Sequence, residues 1–344
     1  MTVQIINLDE GGLELLMKGR RPLINAEDQK MVVNEAGFPV VGYRGGIAVH
    51  SLLRKTEWEE LDAAVIAMVK LRLNGIQDLK DAGLTQALGG LGTMVSQWNV
   101  ASEKTAADVS MDGRTRGNRD RTNKKLYGVP VPIIFSEYEI GTRELEASRR
   151  LGNALDVTEA QESSAAVAEE LENILFNGKA AINVGGSTIS GYTTLTGRLT
   201  DTAANFGGGD FGTISNIIPT YTGWLSSLSA RRYHGPFGCY VSNTQYHQML
   251  AFYSDGSGET ALQRVLKLPQ IKFVKPSDFL ADGVLTGAQL SKNVVDLAIA
   301  LDVTNREWEL EDGSALRYKV MMAAVPRLKV DHAGYAGIVH VTAC

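Results

Sequence analysis

The sequence predicts a mixed α+β protein, and three observations carry that prediction. Two helical segments open on capping boxes, a run near the C-terminus alternates apolar and polar residues, and a long central region interleaves helical and strand patterns. A length of 344 residues allows two or three packed units.

From Met1 to about Leu53, short apolar runs alternate with Gly11, Gly12, Gly37, Pro39, Gly42, Gly45 and Gly46, and no period of 3.6 or 2 is sustained. The expectation is an extended arm that packs on something else. Thr56 with Glu59 then forms a capping box. Trp58, Leu61, Val65, Met68 and Leu71 follow at helical spacing until Asn74 and Gly75 stop the helix.

Between Ala101 and Tyr127, seven basic residues (Lys104, Arg114, Arg116, Arg119, Arg121, Lys124, Lys125) stand against four acids (Glu103, Asp108, Asp112, Asp120), with few apolar residues among them. Such a segment holds no core of its own, and so long a connection inside a compact domain is functional or disordered as a rule. A long two-stranded flap that needs a partner's support is expected. Val129 to Phe135 reads as a strand, and Pro130 and Pro132 place it at a sheet edge by removing ladder donors.

The strongest helical signal follows. Thr158 with Gln161 makes a second capping box, and Ser164, Val167, Ala168, Leu171, Ile174 and Leu175 form one face before Gly178. The predicted helix is about 30 Å long. Every charge from Leu151 to Gly178 is negative (Asp156, Glu159, Glu162, Glu169, Glu170, Glu172), which predicts an exposed acidic stripe.

From about Gly191 to Leu310 the signals alternate, with Ile214, Ile217, Ile218, Tyr221, Leu225 and Leu228 for a helix and Phe237 to Val241 for a strand. Glycine-rich punctuation interrupts this α/β region at 207–212 and 255–258. Near the end, every second residue from Leu316 to Val330 is apolar, while Arg317, Lys319, Arg327 and Lys329 take the opposite phase. That run would extend roughly 50 Å as a half-exposed ribbon, which suits an elongated, flat subunit.

Composition sets further bounds. Hydrophobic residues make up 44% and charged residues 21%, as in soluble globular proteins. The net charge of −5 argues against a dedicated nucleic-acid binder driven by counterion release. No stretch approaches 18 apolar residues, and the segment from Met1 to Arg21, with no uninterrupted apolar core and with Asp9, Glu10 and Glu14, is neither a signal peptide nor a transit peptide, so no membrane partner is expected. Cys239 and Cys344 cannot build a disulfide framework, which points to folding in a reducing cytoplasm, and Cys344 falls where chain ends usually fray.

Catalytic constellations are missing. His50, His234, His247, His332 and His340 include no pair at metal-ligand spacing, so no metal site is assigned. Gly207, Gly209 and Gly212 satisfy dinucleotide-fingerprint spacing, but the polar residues Thr200 to Asn205 do not read as the strand that must deliver the turn, so a flexible surface loop is expected. Nucleophile-elbow and P-loop motifs are absent, and Cys239 reads as a buried inert thiol. No catalytic residue or cofactor is assigned. A large, well-patterned chain of this kind works by assembling, although an α/β enzyme with an unseen site stays open.

The stretches Val129 to Phe135 and Arg143 to Gly152, then Leu155-Asp156 opening the helix that ends Ile174-Leu-Phe-Asn-Gly178, carry a resemblance. Together they resemble the middle of encapsulin shell proteins and of tailed-phage major capsid proteins, which share the Hong-Kong-97-like capsid fold. The resemblance extends through Trp58 to Asp62, the strand after Gly235, a helix over Leu262 to Leu268, and the terminal ribbon.

It implies an N-terminal arm (1–55), an arm helix and connection (56–92), an E-loop overlying a neighbouring subunit (93–136), a peripheral domain with a long spine helix (137–190 and 313–335), and an α/β axial domain (191–312 and 336–344). In the E-loop, Arg114, Arg116, Arg119, Arg121, Lys124 and Lys125 would make intersubunit contacts. Asp255, Gly256, Ser257 and Gly258 would form an axial loop near a symmetry axis, and Glu159, Glu162 and Glu169 an acidic face of the spine helix.

The implied function is a major capsid protein that self-assembles into hexamers and pentamers. These would form the icosahedral head around double-stranded DNA, held without sequence-specific contacts, in a virion assembled in the host cytoplasm. A scaffolding protein, a portal and a decoration protein are the implied partners. The roughly 50 residues before the first helix and the long charged flap favour this over an encapsulin-type compartment enclosing a cargo enzyme, which is the alternative.

Overall fold

The computed structural model describes residues 4–7, 24–25, 30–33, 55–104, 106–112, 114, 120–151, 156–254, 258–309 and 315–344. They form two compact units, one of 1–64, 137–159 and 306–319, the other of 65–136, 160–305 and 320–344.

In the first unit, the region read as an extended arm contains three short strands, Gln4–Asn7, Ile24–Asn25 and Lys30–Val33, with Lys30–Val33 in the middle of an antiparallel sheet. Strands of two to four residues are too short to register as a period. A helix, Thr142–Leu151, buries Leu145. Strand Ile133–Gly141 is the edge of a four-stranded sheet, beside Ala315–Leu328. Within this unit Tyr138 stacks on Tyr318 with centroids 5.0 Å apart, while Glu137–Lys319 (3.0 Å) and Glu139–Arg317 (3.5 Å) pair on the opposite phase. One strand was expected from Val129 to Phe135. Two are found, Lys124–Pro130 and Ile133–Gly141, because two prolines so close together interrupt the ladder.

In the second unit, a five-stranded mixed sheet runs in the order Leu199–Thr202, Ile338–Thr342, Leu285–Gln289, Phe237–Val241, Ile271–Pro276. The outer pairings are parallel and the two inner ones antiparallel. Phe237–Val241 is buried along its whole length, as its unbroken apolar character requires. Helices Ile217–Ala230, Asn243–Met249 and Ala261–Leu266 contribute Tyr221, Trp224, Met249 and Val265 to the core against Phe237 and Val341. The helix expected over Leu262 to Leu268 is thus Ala261–Leu266, and it opens on a Thr260–Gln263 capping box.

The first long helix spans Lys55–Arg72 and buries Leu61, Val65 and Val69. Asn74 and Gly75 do end it, but Gly75 also opens a second helix, Gly75–Asp81. The spine helix is Thr158–Asn177 as predicted. Its cap is corrected, since Asp156 accepts from both the Thr158 N–H (3.0 Å) and the Thr158 hydroxyl (2.6 Å). Gly178 ends the helix at φ +73°. A Cβ there would lie 2.6 Å from the backbone of Gly191 and Ile189, so only glycine lets the chain turn into the following hairpin, Gly178–Val184 with Ser187–Ser190.

Ala315–Leu328 alternates only as far as Met321. Met322 to Leu328 is buried on both phases, Arg327 included, which corrects the expectation of a half-exposed ribbon. Its hydrogen-bonded neighbour is Val295–Glu309, and Thr85–Ala87 adds a parallel edge beyond that.

Candidate functional site

The flap is a two-stranded antiparallel ribbon, Val95–Ala101 with Lys124–Pro130, in a register that places Trp98 opposite Tyr127. Those rings stack at 6.3 Å. Ser102 N–H to Asn123 O (2.8 Å) and Asn123 N–H to the Ser102 hydroxyl (2.9 Å) close the ladder, and the described residues beyond it are exposed apart from the half-buried Thr122. Arg114, Arg121, Lys124 and Lys125 are all exposed, and Arg116 and Arg119 lie outside the described residues. Leu126, Met94, Val109 and Met111 are exposed as well. These cations and apolar groups are free to meet another surface.

The base of the flap is held within its own chain, which corrects the view that a partner alone supports it. Gly128 lies against the hairpin, where an added Cβ would sit 3.4 Å from the Ser187 hydroxyl. Glu103 pairs with Arg232 at 2.9 Å, both largely exposed. Arg327, expected to face solvent, is 2% exposed and donates to both oxygens of Asp296 (2.6 Å each), to the Ser96 hydroxyl (3.0 Å) and to Gln86. Lys329 reaches the same Asp296 at 2.7 Å. One signal could have found this buried site: Val320 to Val325 is apolar on both phases, the mark of a strand covered on both faces.

The acidic stripe is interrupted. Glu159 and Glu162 are exposed and Glu169 is half-buried, but Glu170 pairs with Lys179 at 2.7 Å and Glu172 is 2% exposed. Glu172 accepts from the N–H groups of Gly75 (2.5 Å) and Ile76 (3.2 Å) at the start of the second helix. Around it, Phe176 packs edge-on against Tyr192 and Tyr240, whose hydroxyl donates to Asp78 (3.0 Å). Lys275 reaches the other Asp78 oxygen at 2.5 Å.

Burial drives the Glu172 carboxyl up to about 7, against the two N–H bonds that favour its charged form, and Asp78 adds to the rise. A carboxyl raised in the folded state contributes stability that is complete below its ordinary value of 4.5 and is lost as pH climbs to about 7. Between pH 4.5 and 7.5 this group should cost roughly 3 kcal/mol. Urea unfolding of the wild type and Glu172→Gln across that range should show a smaller pH-dependent loss in the variant.

Between Asn243–Met249 and Ala261–Leu266 the described residues pair as a small antiparallel hairpin. Phe252 bridges Thr260, and Tyr253 N–H reaches Glu259 O at 2.9 Å. Of the predicted axial loop, Gly258 is described, at φ +64°, and Asp255, Gly256 and Ser257 lie outside the described residues. Leu250, Phe252 and Leu266, in and beside this segment in the chain, are exposed, Phe252 at 65%.

The thiols and glycines weighed for an enzymic reading take structural places among the described residues. Cys239 is buried in the core, where desolvation holds its thiol well above the usual range. Cys344, expected to fray, is buried too: its N–H reaches Gly283 O at 2.9 Å and burial pushes its thiol up to about 12. Leu199–Thr202 does form a strand, contrary to expectation, because pairing with Ile338–Thr342 overrides its polar composition. Of the glycines after it, Gly208 serves packing, since a Cβ there would collide with the Thr220 hydroxyl, whereas a Cβ on Gly207 would meet nothing within 4 Å. Among the described residues there is no cluster of three metal-capable side chains, and no helix is long and apolar enough to cross a membrane.

Residues 47–341 match the family described as "Family of unknown function (DUF6260)". The chain belongs to the DUF6260 family. This DUF6260 chain is 23% identical over 281 residues to the diheme-cytochrome-encapsulin shell fusion protein of Kuenenia stuttgartiensis, an alignment covering 82% of this chain and 72% of that protein. Its fold matches the virus-like particle from Pyrococcus furiosus with a TM-score of 0.57 at 16% identity, over 83% of this chain and 98% of that one. It also matches the capsid of Myoviridae phage XM1 with a TM-score of 0.55 at 14% identity, over 78% and 92%. The DUF6260 chain therefore has the Hong-Kong-97-like fold expected from its sequence.

Proposed function

We propose that this protein is the major capsid protein of a tailed bacteriophage, a structural subunit without catalytic activity. It self-assembles as hexamers and pentamers into an icosahedral head around double-stranded DNA. The observation that supports this most is the flap, whose base is anchored in its own chain while its basic, partly apolar outer part is exposed. The flap would lie across an adjacent subunit, and the hairpin around Phe252 would meet its equivalents at a symmetry axis. The spine glutamates would face the interior or solvent, and packaged DNA would be held without sequence-specific contacts. Scaffold, portal and decoration proteins are the proposed further partners.

A second reading, a compartment shell enclosing a protein cargo, is favoured by the encapsulin name of the curated relative. Particles purified from the native source and examined by negative-stain microscopy decide between them. Closed shells with nuclease-protected double-stranded DNA are expected, shells holding protein favour the compartment, and a compact monomer defeats both.

Phe252→Asp tests the axial contact. Phe252 is mostly exposed, so stability should change by no more than about 0.5 kcal/mol, whereas a charge placed in an apolar subunit contact should sharply reduce capsomers in size-exclusion chromatography with light scattering.

A further inference from the structure

We propose that Arg327 is the pivot of the flap, a positioning residue that fixes the angle at which the two-stranded ribbon leaves the body of the subunit. The flap departs where Val131 N–H bonds Met94 O at 2.9 Å, and its first strand turns Ser96 and Trp98 toward the sheet. Arg327 meets both. One terminal nitrogen donates to the Ser96 hydroxyl at 3.0 Å, and the guanidinium carbon lies 5.8 Å from the Trp98 ring centroid. The remaining donors grip the body. Nε and the other terminal nitrogen take both oxygens of Asp296, and that nitrogen also reaches Gln86 on the edge strand Thr85–Ala87. One planar cation thus joins the flap to two strands of the sheet.

The chemistry of the link is specific to arginine. A guanidinium presents its donors in a rigid plane, so occupying the Asp296 fork fixes the direction of the bond to Ser96, and the ribbon inherits that direction. A lysine at 327 could satisfy Asp296 with a single ammonium but would carry no orientation to Ser96. Lys329 holds the same carboxylate at 2.7 Å, so Asp296 keeps a cationic partner when Arg327 is replaced. Residue 327 can therefore be changed without stranding a buried anion. The hairpin packs beside Gly128 of the second flap strand, and the Glu103–Arg232 pair at the end of the first strand is exposed, so Arg327 is the buried side-chain link between the first strand and the sheet. The consequence for assembly rests on the reading that the flap lies across a second copy of this chain, because a ribbon with a variable exit angle would reach that copy in many poses.

The test is hydrogen exchange by mass spectrometry on the full-length, unassembled subunit of the wild type, Ser96→Ala, Arg327→Lys and Arg327→Met. Peptides covering 95–101 and 124–130 should exchange about tenfold faster in both Arg327 variants and several-fold faster in Ser96→Ala, with 237–241 and 338–342 unchanged. Adding Ser96→Ala to Arg327→Met should give no further acceleration, because the bond is already lost. Wild-type protection of the flap strands in the Arg327 variants, or acceleration spread equally over the sheet, overturns the proposal. If Arg327→Met does not fold, Ser96→Ala decides alone, since it leaves the ion pair intact. Shell formation is scored separately. A loosened flap with normal shells keeps the pivot and defeats the reading of the flap as the intersubunit clamp.

Discussion

Changing Arg114, Arg116, Arg119 and Arg121 together to Glu is expected to yield a folded subunit that no longer closes into shells. Arg114 and Arg121 are exposed, and none of the described residues from 103 to 122 belongs to the core cluster around Trp224, so the cost to subunit stability should be small. The effect on assembly should be large because the substitution turns the flap from net basic to net acidic, and each contact is repeated through the shell. One exposed ion pair contributes only about 0 to 1 kcal/mol, but closure depends on many of them at once. Circular dichroism and a urea midpoint check the fold, and analytical ultracentrifugation reads the assembly. In the wild type, raising salt should weaken the same contacts. Normal shells from the charge-reversed protein would show that the flap does not clamp neighbours electrostatically.

Asp296→Ala should produce the largest loss of subunit stability. The carboxylate is 3% exposed and is shared by Arg327 and Lys329, so its removal leaves two cations together, one of them fully buried, without a counter-charge. Removing one partner of a buried ion pair costs about 3 to 5 kcal/mol, a large share of the roughly 5 to 15 kcal/mol by which a domain is stable. Asp296→Asn, which retains an acceptor but no charge, should fall between wild type and Ala. A urea midpoint in Asp296→Ala within error of the wild type would mean that water, not the protein, solvates these cations.

The spine helix was legible to the residue at both ends because its determinants are local. They are an apolar recurrence through Leu175 and a glycine that alone tolerates φ +73° against Gly191, whereas the Asp156 cap lies outside the Thr158–Gln161 pattern. Phe237–Val241 was legible for the same reason, as an unbroken apolar run bounded by turn residues. Leu199–Thr202 was not: three of its four residues are polar, and the parallel register with Val339 to Thr342 makes them a strand. Of the flap, the composition shift located the exposed basic part and its two-stranded form, while the start of the first strand at Val95 and the end of the second at Pro130 were concealed by ordinary composition.

By itself the sequence determined the α+β class, the long spine helix, the coreless basic excursion and the absence of recognisable catalytic motifs, because each rests on residues close together in the chain. Only the tertiary structure decided which charges are buried. Arg327 and Glu172 sit in stretches whose periodicity or charge pattern places them in solvent, yet their partners lie 31 to 241 and 96 to 97 residues away. A side chain's polarity predicts exposure only while water is its best available partner. Once the fold delivers a carboxylate fork to Arg327, or two helix N–H groups to Glu172, the desolvation cost is offset at a distance that no local pattern encodes.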